Sequence, residues 1–176
     1  MPRTRVRSSW RDEPATNPPE MLQLSSSSVL DGEPIPRRHS ALGGNLSPAL
    51  LWSEPPLGTA SVAVSCEDPR GPRGRPFTLW ILFNIPATRM GIPEGISKVL
   101  LPDIVPGCQQ GLNDTGQIGY DGPKPPPGHA AHRYEFRVYA LDATLQLSPG
   151  ATRPLFRAAI QDHVLARGKL VGTFSR

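Results

Sequence analysis

The run Leu79-Trp80-Ile81-Leu82-Phe83 is apolar without interruption, the pattern of a strand covered on both faces. Upstream, Ala60-Ser61-Val62-Ala63-Val64-Ser65-Cys66 alternates, placing Val62, Val64 and Cys66 on one face. Downstream, Tyr134, Phe136, Val138 and Ala140 alternate with Glu135, Arg137 and Tyr139, as in a half-exposed strand. Leu170-Val171-Gly172-Thr173-Phe174 reads as a final strand. These four pieces predict a sheet core. The 22 prolines and 17 glycines among 176 residues argue the same way, since neither residue is comfortable inside a helix. With 38% hydrophobic residues the chain can build one core but hardly two.

Around the strands, one segment reads as a helix. Thr152 can cap it, Pro154 suits its first turn, and Leu155, Ala159 and His163 recur at i, i+4 beside Phe156, Ile160 and Val164. Gly168 is the expected stop. Asp31-Gly32 reads as a turn before Pro34-Ile35-Pro36. Residues 102–129 hold twelve glycines and prolines, with Leu112, Ile118 and Tyr120 as apolar anchors, so an ordered loop is expected there. Residues 1–20 lack periodicity and are expected to form a disordered basic tail, followed by one domain over 21–176.

The charge is local. Arg3, Arg5, Arg7 and Arg11 account for the formal net charge of +4, and the rest of the chain balances fifteen basic against fifteen acidic residues. A nucleic-acid enzyme would spread basic residues over its folded surface, which this composition does not do. No stretch reaches the roughly 20 apolar residues of a membrane span, and the N-terminal arginines are not followed by the apolar core of a secretory signal. Two cysteines cannot form a disulfide framework. Cys66 reads as buried, Cys108 as partly exposed in its loop, and both as free thiols of a cytoplasmic protein.

Three segments are more specific: Asp68-Pro69-Arg70-Gly71-Pro72, then Gly119-Tyr120-Asp121-Gly122-Pro123 with Pro125-Pro126-Pro127-Gly128, then His132-Arg133-Tyr134-Glu135-Phe136. With Ser47-Pro48 before Trp52, and His163-Val164-Leu165-Ala166 near the end, the chain from about residue 22 onward resembles the phosphatidylethanolamine-binding protein family, in its bacterial Raf-kinase-inhibitor-like branch. The resemblance implies a mostly β fold, with a large antiparallel sheet packed on a smaller one and peripheral helices. It also implies a shallow pocket for a small anion or phosphorylated head group, in a non-enzymatic protein that needs no cofactor. Members also act by binding and restraining other proteins, so a module inhibiting a kinase or protease is the alternative. A homodimer is left open.

By position, the resemblance makes Asp68, His132 and Tyr134 pocket residues. Two positions depart from the pattern: Arg70 stands where a second acid is usual, and Leu79 where a pocket histidine is usual. An arginine there can hold phosphate or carboxylate through two parallel hydrogen bonds. On the residues alone, Asp68 capping a turn and a structural His132 is the simpler reading, and the resemblance reverses it. A metal site built on His129 and His132 has no paired ligand spacing. A hydrolase using Ser47 or Ser65 with His132 and Asp68 lacks a Gly-x-Ser-x-Gly elbow. His39 reads as a loop residue, His163 as a helix-face residue, and Trp52 and Trp80 as core.

Overall fold

The computed structural model describes residues 19–176. The expectation of a disordered tail falls, but for its last two residues, outside them. Twelve short elements follow one another: β1 (Glu20–Met21), β2 (Leu24–Ser25), a 3-10 turn (Arg37–His39), β3 (Leu50–Trp52), β4 (Ser61–Asp68), a second 3-10 turn (Pro72–Gly74), β5 (Phe77–Pro86), β6 (Gly91–Ile92), β7 (Gln109–Gln110), β8 (His132–Leu141), α1 (Arg153–Ile160) and β9 (Val164–Phe174). Six strands form a large sheet in the order β1-β9-β8-β4-β5-β7, and three form a smaller one, β2-β3-β6. Every pairing is antiparallel except β1 with β9.

The expected central strand is there, and all of Leu79–Phe83 is buried. Its inner face, with Trp80 and Leu82, joins Val62, Val64 and Cys66 of β4 and Phe136 and Val138 of β8. Leu50, Trp52 and Ile92 of the smaller sheet close that core from the other side. Ile81 and Phe83 point outward, where Phe156 and Ile160 of α1 meet them beside Tyr139 and Leu141. A two-sided cover is why this run reads as continuously apolar.

Two irregularities matter for the site. The β4/β5 register passes from Cys66↔Trp80 to Glu67↔Thr78, so Leu79 is an extra residue, a bulge. The bulge puts Leu79 in the same core as Trp80 instead of on the opposite face. Farther along, the register passes from Val62↔Ile85 to Val64↔Leu82, and Asn84 takes a left-handed conformation, φ 58°. Asn84 tolerates it because its amide bonds both polar groups of the backbone at Leu145.

The helix is shorter than its pattern suggested. It begins after Thr152, with Pro154 in its first turn, but it ends at Ile160, and Thr152 offers no side-chain hydrogen bond. Gly168 is therefore no helix stop: Val164 to Phe174 form β9, where Ala166 and Leu170 face inward and Arg167 and Lys169 outward. The two-residue period of a strand overrides the i, i+4 reading. Gly168 is small for another reason, since a Cβ there would lie 2.4 Å from the carbonyl oxygen of Leu22. His163 lies between helix and strand, its Nδ1 2.7 Å from Asp142 Oδ1. His39 ends the first 3-10 turn fully buried, with Nδ1 2.8 Å from the carbonyl of Leu46.

The Gly/Pro-rich loop is ordered by the anchors the sequence offered. Leu112 bridges Ile118, and Tyr120 is fully buried, donating its hydroxyl to the carbonyl of His39. Cys108 is buried rather than partly exposed, and burial pushes its thiol up to about 11. The segment after β1 crosses the start of the chain over its end. Val171 N–H donates to Asp31 Oδ1, and Gly32 N–H and Ile35 N–H donate to the carbonyls of Val171 and Thr173.

Candidate functional site

Asp68 is the last residue of β4 and His132 the first of β8, neighbouring strands of the large sheet. Alternation from Val64 and Cys66 keeps Asp68 on the inner side, and alternation from Phe136 and Tyr134 does the same for His132. They meet at the open end of the core. His132 Nδ1 lies 2.6 Å from Asp68 Oδ2, and Arg70 N–H donates to Asp68 Oδ1 at 2.9 Å. Asp68-Pro69-Arg70 is thus an Asx turn that holds the carboxylate by its own backbone and aims its second oxygen at the imidazole. With Nδ1 spent on Asp68, Nε2 is the nitrogen left for a ligand.

A cavity of about 490 Å³ opens beside this pair. Phe77, Leu79 and Tyr134 give it an apolar wall, and Arg70, Arg73 and Lys124 bring cations to its rim. Tyr134 is nearly buried, and burial, with Asp68 beside it, raises its hydroxyl well above the usual tyrosine range, so the phenol stays a neutral donor. Arg70 is exposed at the cavity, where its guanidinium can turn to a ligand. Leu79 contributes hydrocarbon at the position where a histidine was usual, because the bulge turns it to this side. The loop after Tyr120 forms the remaining wall. Asp121 N–H donates to Leu79 carbonyl, Asn45 Nδ2 donates to Asp121 Oδ1, and Gly122 N–H donates to Asn45 Oδ1.

The structure thus brings Asp68, Arg70, His132 and Tyr134 to one cavity. It adds His129, which the sequence reading considered only as a metal ligand. Residues three apart would face opposite ways in a strand, but β8 starts only at His132, and the turn before it folds His129 back. The rings of His129, His132 and Tyr134 form a ladder, with centroids 5.8 and 6.4 Å apart and planes inclined by 24° and 22°. The run of Pro125–Gly128 just before His129 was the available sign of a chain reversal.

The rival constellations are not assembled. Ser65 lies on the opposite face of β4 from Asp68, paired with Arg137. Ser47 accepts the N–H of Ile96 beside the smaller sheet. Among the described residues no three His, Cys, Asp or Glu side chains are grouped to hold a metal ion. Nor is any helix among them long and apolar enough to cross a membrane.

Comparison with known proteins agrees with this architecture. The family profile described as phosphatidylethanolamine-binding protein matches residues 25–175. YbhB of Escherichia coli K12 is 36% identical over 162 residues, covering 88% of this chain and all of that protein. A protein of Pyrococcus horikoshii is 42% identical over 158 residues, covering 89% of this chain and 79% of its own. Among solved structures, YbcL of E. coli, described as a new member of the mammalian family, superimposes with a TM-score of 0.82 at 31% identity, covering 88% of this chain and 98% of that one. A homologue from Chlamydia trachomatis gives 0.78 at 33% identity, covering 89% and 99%. The profile match across nearly the whole domain, the relatives and the shared two-sheet fold place this chain in the phosphatidylethanolamine-binding protein family.

Proposed function

We propose that the protein is a non-enzymatic binding protein that takes a small anion or phosphorylated head group in the cavity beside Asp68 and His132. One observation carries the reading: the 2.6 Å contact that fixes His132 on Asp68 while the ring still borders an open cavity. In its doubly protonated form, His132 donates Nε2–H to an anionic oxygen, and the Asp68 carboxylate balances the charge of the ring. Arg70 supplies a planar pair of donors from the rim, and the Tyr134 hydroxyl a neutral one from the wall. The apolar contributions of Leu79 and Phe77 suit the carbon part of a phosphate ester better than a bare ion. Two buried, unpaired thiols fit a reducing, cytoplasmic setting.

Calorimetry with phosphate, a phosphate monoester and a dicarboxylate tests the reading. The monoester should bind best, His132→Ala should abolish most of its affinity, and Arg70→Ala should weaken it by roughly 1.5–3 kcal/mol, the range for hydrogen bonds to charged groups. Restoring the usual residues, with Arg70→Asp and Leu79→His, should change ligand preference without unfolding the domain. If only the restored protein binds, the cavity is idle here and protein interaction takes its place as the function.

A further inference from the structure

The outer face of the large sheet carries a second cluster of charge that the cavity beside Asp68 does not use. In the β8/β9 register Arg137 stands directly opposite Lys169, and Tyr139 opposite Arg167. Like charges placed directly across a strand pair cost stability, so this pairing asks for a compensating anion. Arg157 of α1 adds a fourth cation, donating from Nη1 to the Tyr139 hydroxyl at 3.3 Å. Among the described residues, the carboxylate within reach is Glu135, which is bonded to Arg137 and 3.9 Å from Lys169 Nζ. Four cations against one carboxylate leave the cluster strongly positive.

The cluster is also concave. Arg137, Arg157, Arg167 and Lys169 line a hollow of about 370 Å³ with Tyr139, and no carboxylate among the described residues lines it. Next to Arg137 in the β4/β8 register lies Ser65, a hydroxyl that is almost wholly buried and has no hydrogen-bond partner among the described residues. On the same face Glu67 is already engaged, held by Arg153 Nε at 3.0 Å. Spacing matters here as well as charge. The cations come from two strands and a helix, so they converge on a hollow instead of lying along a line, as they would to follow an extended backbone.

We propose that this hollow is a second anion site, for a compact soluble ligand carrying several clustered phosphate groups, and that it works independently of the Asp68–His132 cavity on the opposite face. Arg167 and Lys169 are its accessible donors, Arg157 closes the helix side, and Arg137, oriented by Glu135, sits at the base.

The test is calorimetric titration of the full chain with inorganic tripolyphosphate and, separately, orthophosphate. The hollow should take one tripolyphosphate per chain, more tightly than orthophosphate, separately from binding in the Asp68–His132 cavity. Arg167→Gln with Lys169→Gln, both exposed, should weaken it at least about tenfold, as expected for loss of charged hydrogen bonds. Arg37→Gln with Arg75→Gln removes the same charge elsewhere and should leave the affinity unchanged, as should His132→Ala. Arg157→Gln should weaken binding too, giving a second check from the helix. Absence of tripolyphosphate binding would overturn the proposal. So would equal losses from the two double variants, which would mean diffuse attraction, or a loss that follows His132→Ala, which would mean the ligand sits in the other cavity.

Discussion

A charged side chain meets different fates on the two faces of the large sheet. On the inner face, Asp68 and His132 hold each other at 2.6 Å where β8 begins; beyond them along that strand lie Tyr134, Phe136, Val138 and Ala140, all buried. On the outer face Arg137, Arg167 and Lys169 stand in the middle of the sheet. The cover explains the difference. Inside, Leu50, Trp52 and Ile92 of the smaller sheet, with Ile96, Val105 and Tyr120 from the loops, close over the strands. Outside, α1 has eight residues, about 12 Å of helix, against strands that run about 33 Å or more. Whatever the helix cannot reach must be solvated or bound. The cover, more than the strand itself, decides where polar chemistry can be placed.

The strongest challenge to this contrast is a single truncation. Leu82→Ala, at an inner position with no exposure, should cost on the order of 2–5 kcal/mol in urea unfolding. A cost below about 1 kcal/mol would mean that the inner face is not the load-carrying one. The next test targets the edge of the helical cover. Arg153 is the partner of Glu67, which is buried, so Arg153→Ala should cost about 1–3 kcal/mol by leaving a carboxylate unpaired. Arg153→Lys should recover part of it.

A third test uses pH. Burial raises both thiols, Cys66 well above its ordinary value and Cys108 to about 11, whereas in the unfolded chain they ionise near 8.5. A raised folded value favours the native state fully below the unfolded pKa, and that contribution is lost as pH climbs toward 11. Stability should therefore fall with pH above about 8.5, and Cys108→Ala should flatten the fall by on the order of 1–2 kcal/mol at pH 10. The smallest effect belongs to the open outer face. Arg167→Gln should shift stability by no more than about 0.5 kcal/mol, and a gain would fit relief of the crowded cations.

How much of this could be read from the chain differs by element. The continuous run at Leu79–Phe83 and the alternation around Val62 and Val138 identify the central strands, because burial on two faces or on one leaves a direct trace in composition. The bulge at Leu79 leaves none: one extra residue changes a register, not a pattern. The helix overran for a related reason. Leu155, Ala159 and His163 keep a helical spacing across the point where the chain turns into β9, and the pairing of β9 along β8 settles it as a strand. Asp68, His132 and Tyr134 were legible through motif and resemblance, since they end or begin readable strands. His129 was not, because its place depends on a turn among prolines. The outer cluster depends on cross-strand register between β8 and β9, which no local reading supplies.

The crossing of the first segment over the last strand has a consequence in time. Glu20 and Met21 pair with Ala166 and Arg167, and the Val171–Asp31 bond joins residues 140 positions apart. A chain emerging in order presents its opening segment long before the strand that receives it. Glu20, Met21 and the Asp31 turn must wait for β9, even after β2 has paired with β3. Contacts of such separation slow folding, since a long loop must close before they contribute. β9 therefore acts as a latch: until it arrives, Glu20, Met21 and the Asp31 turn have no strand to dock on, and truncating β9 should release them together.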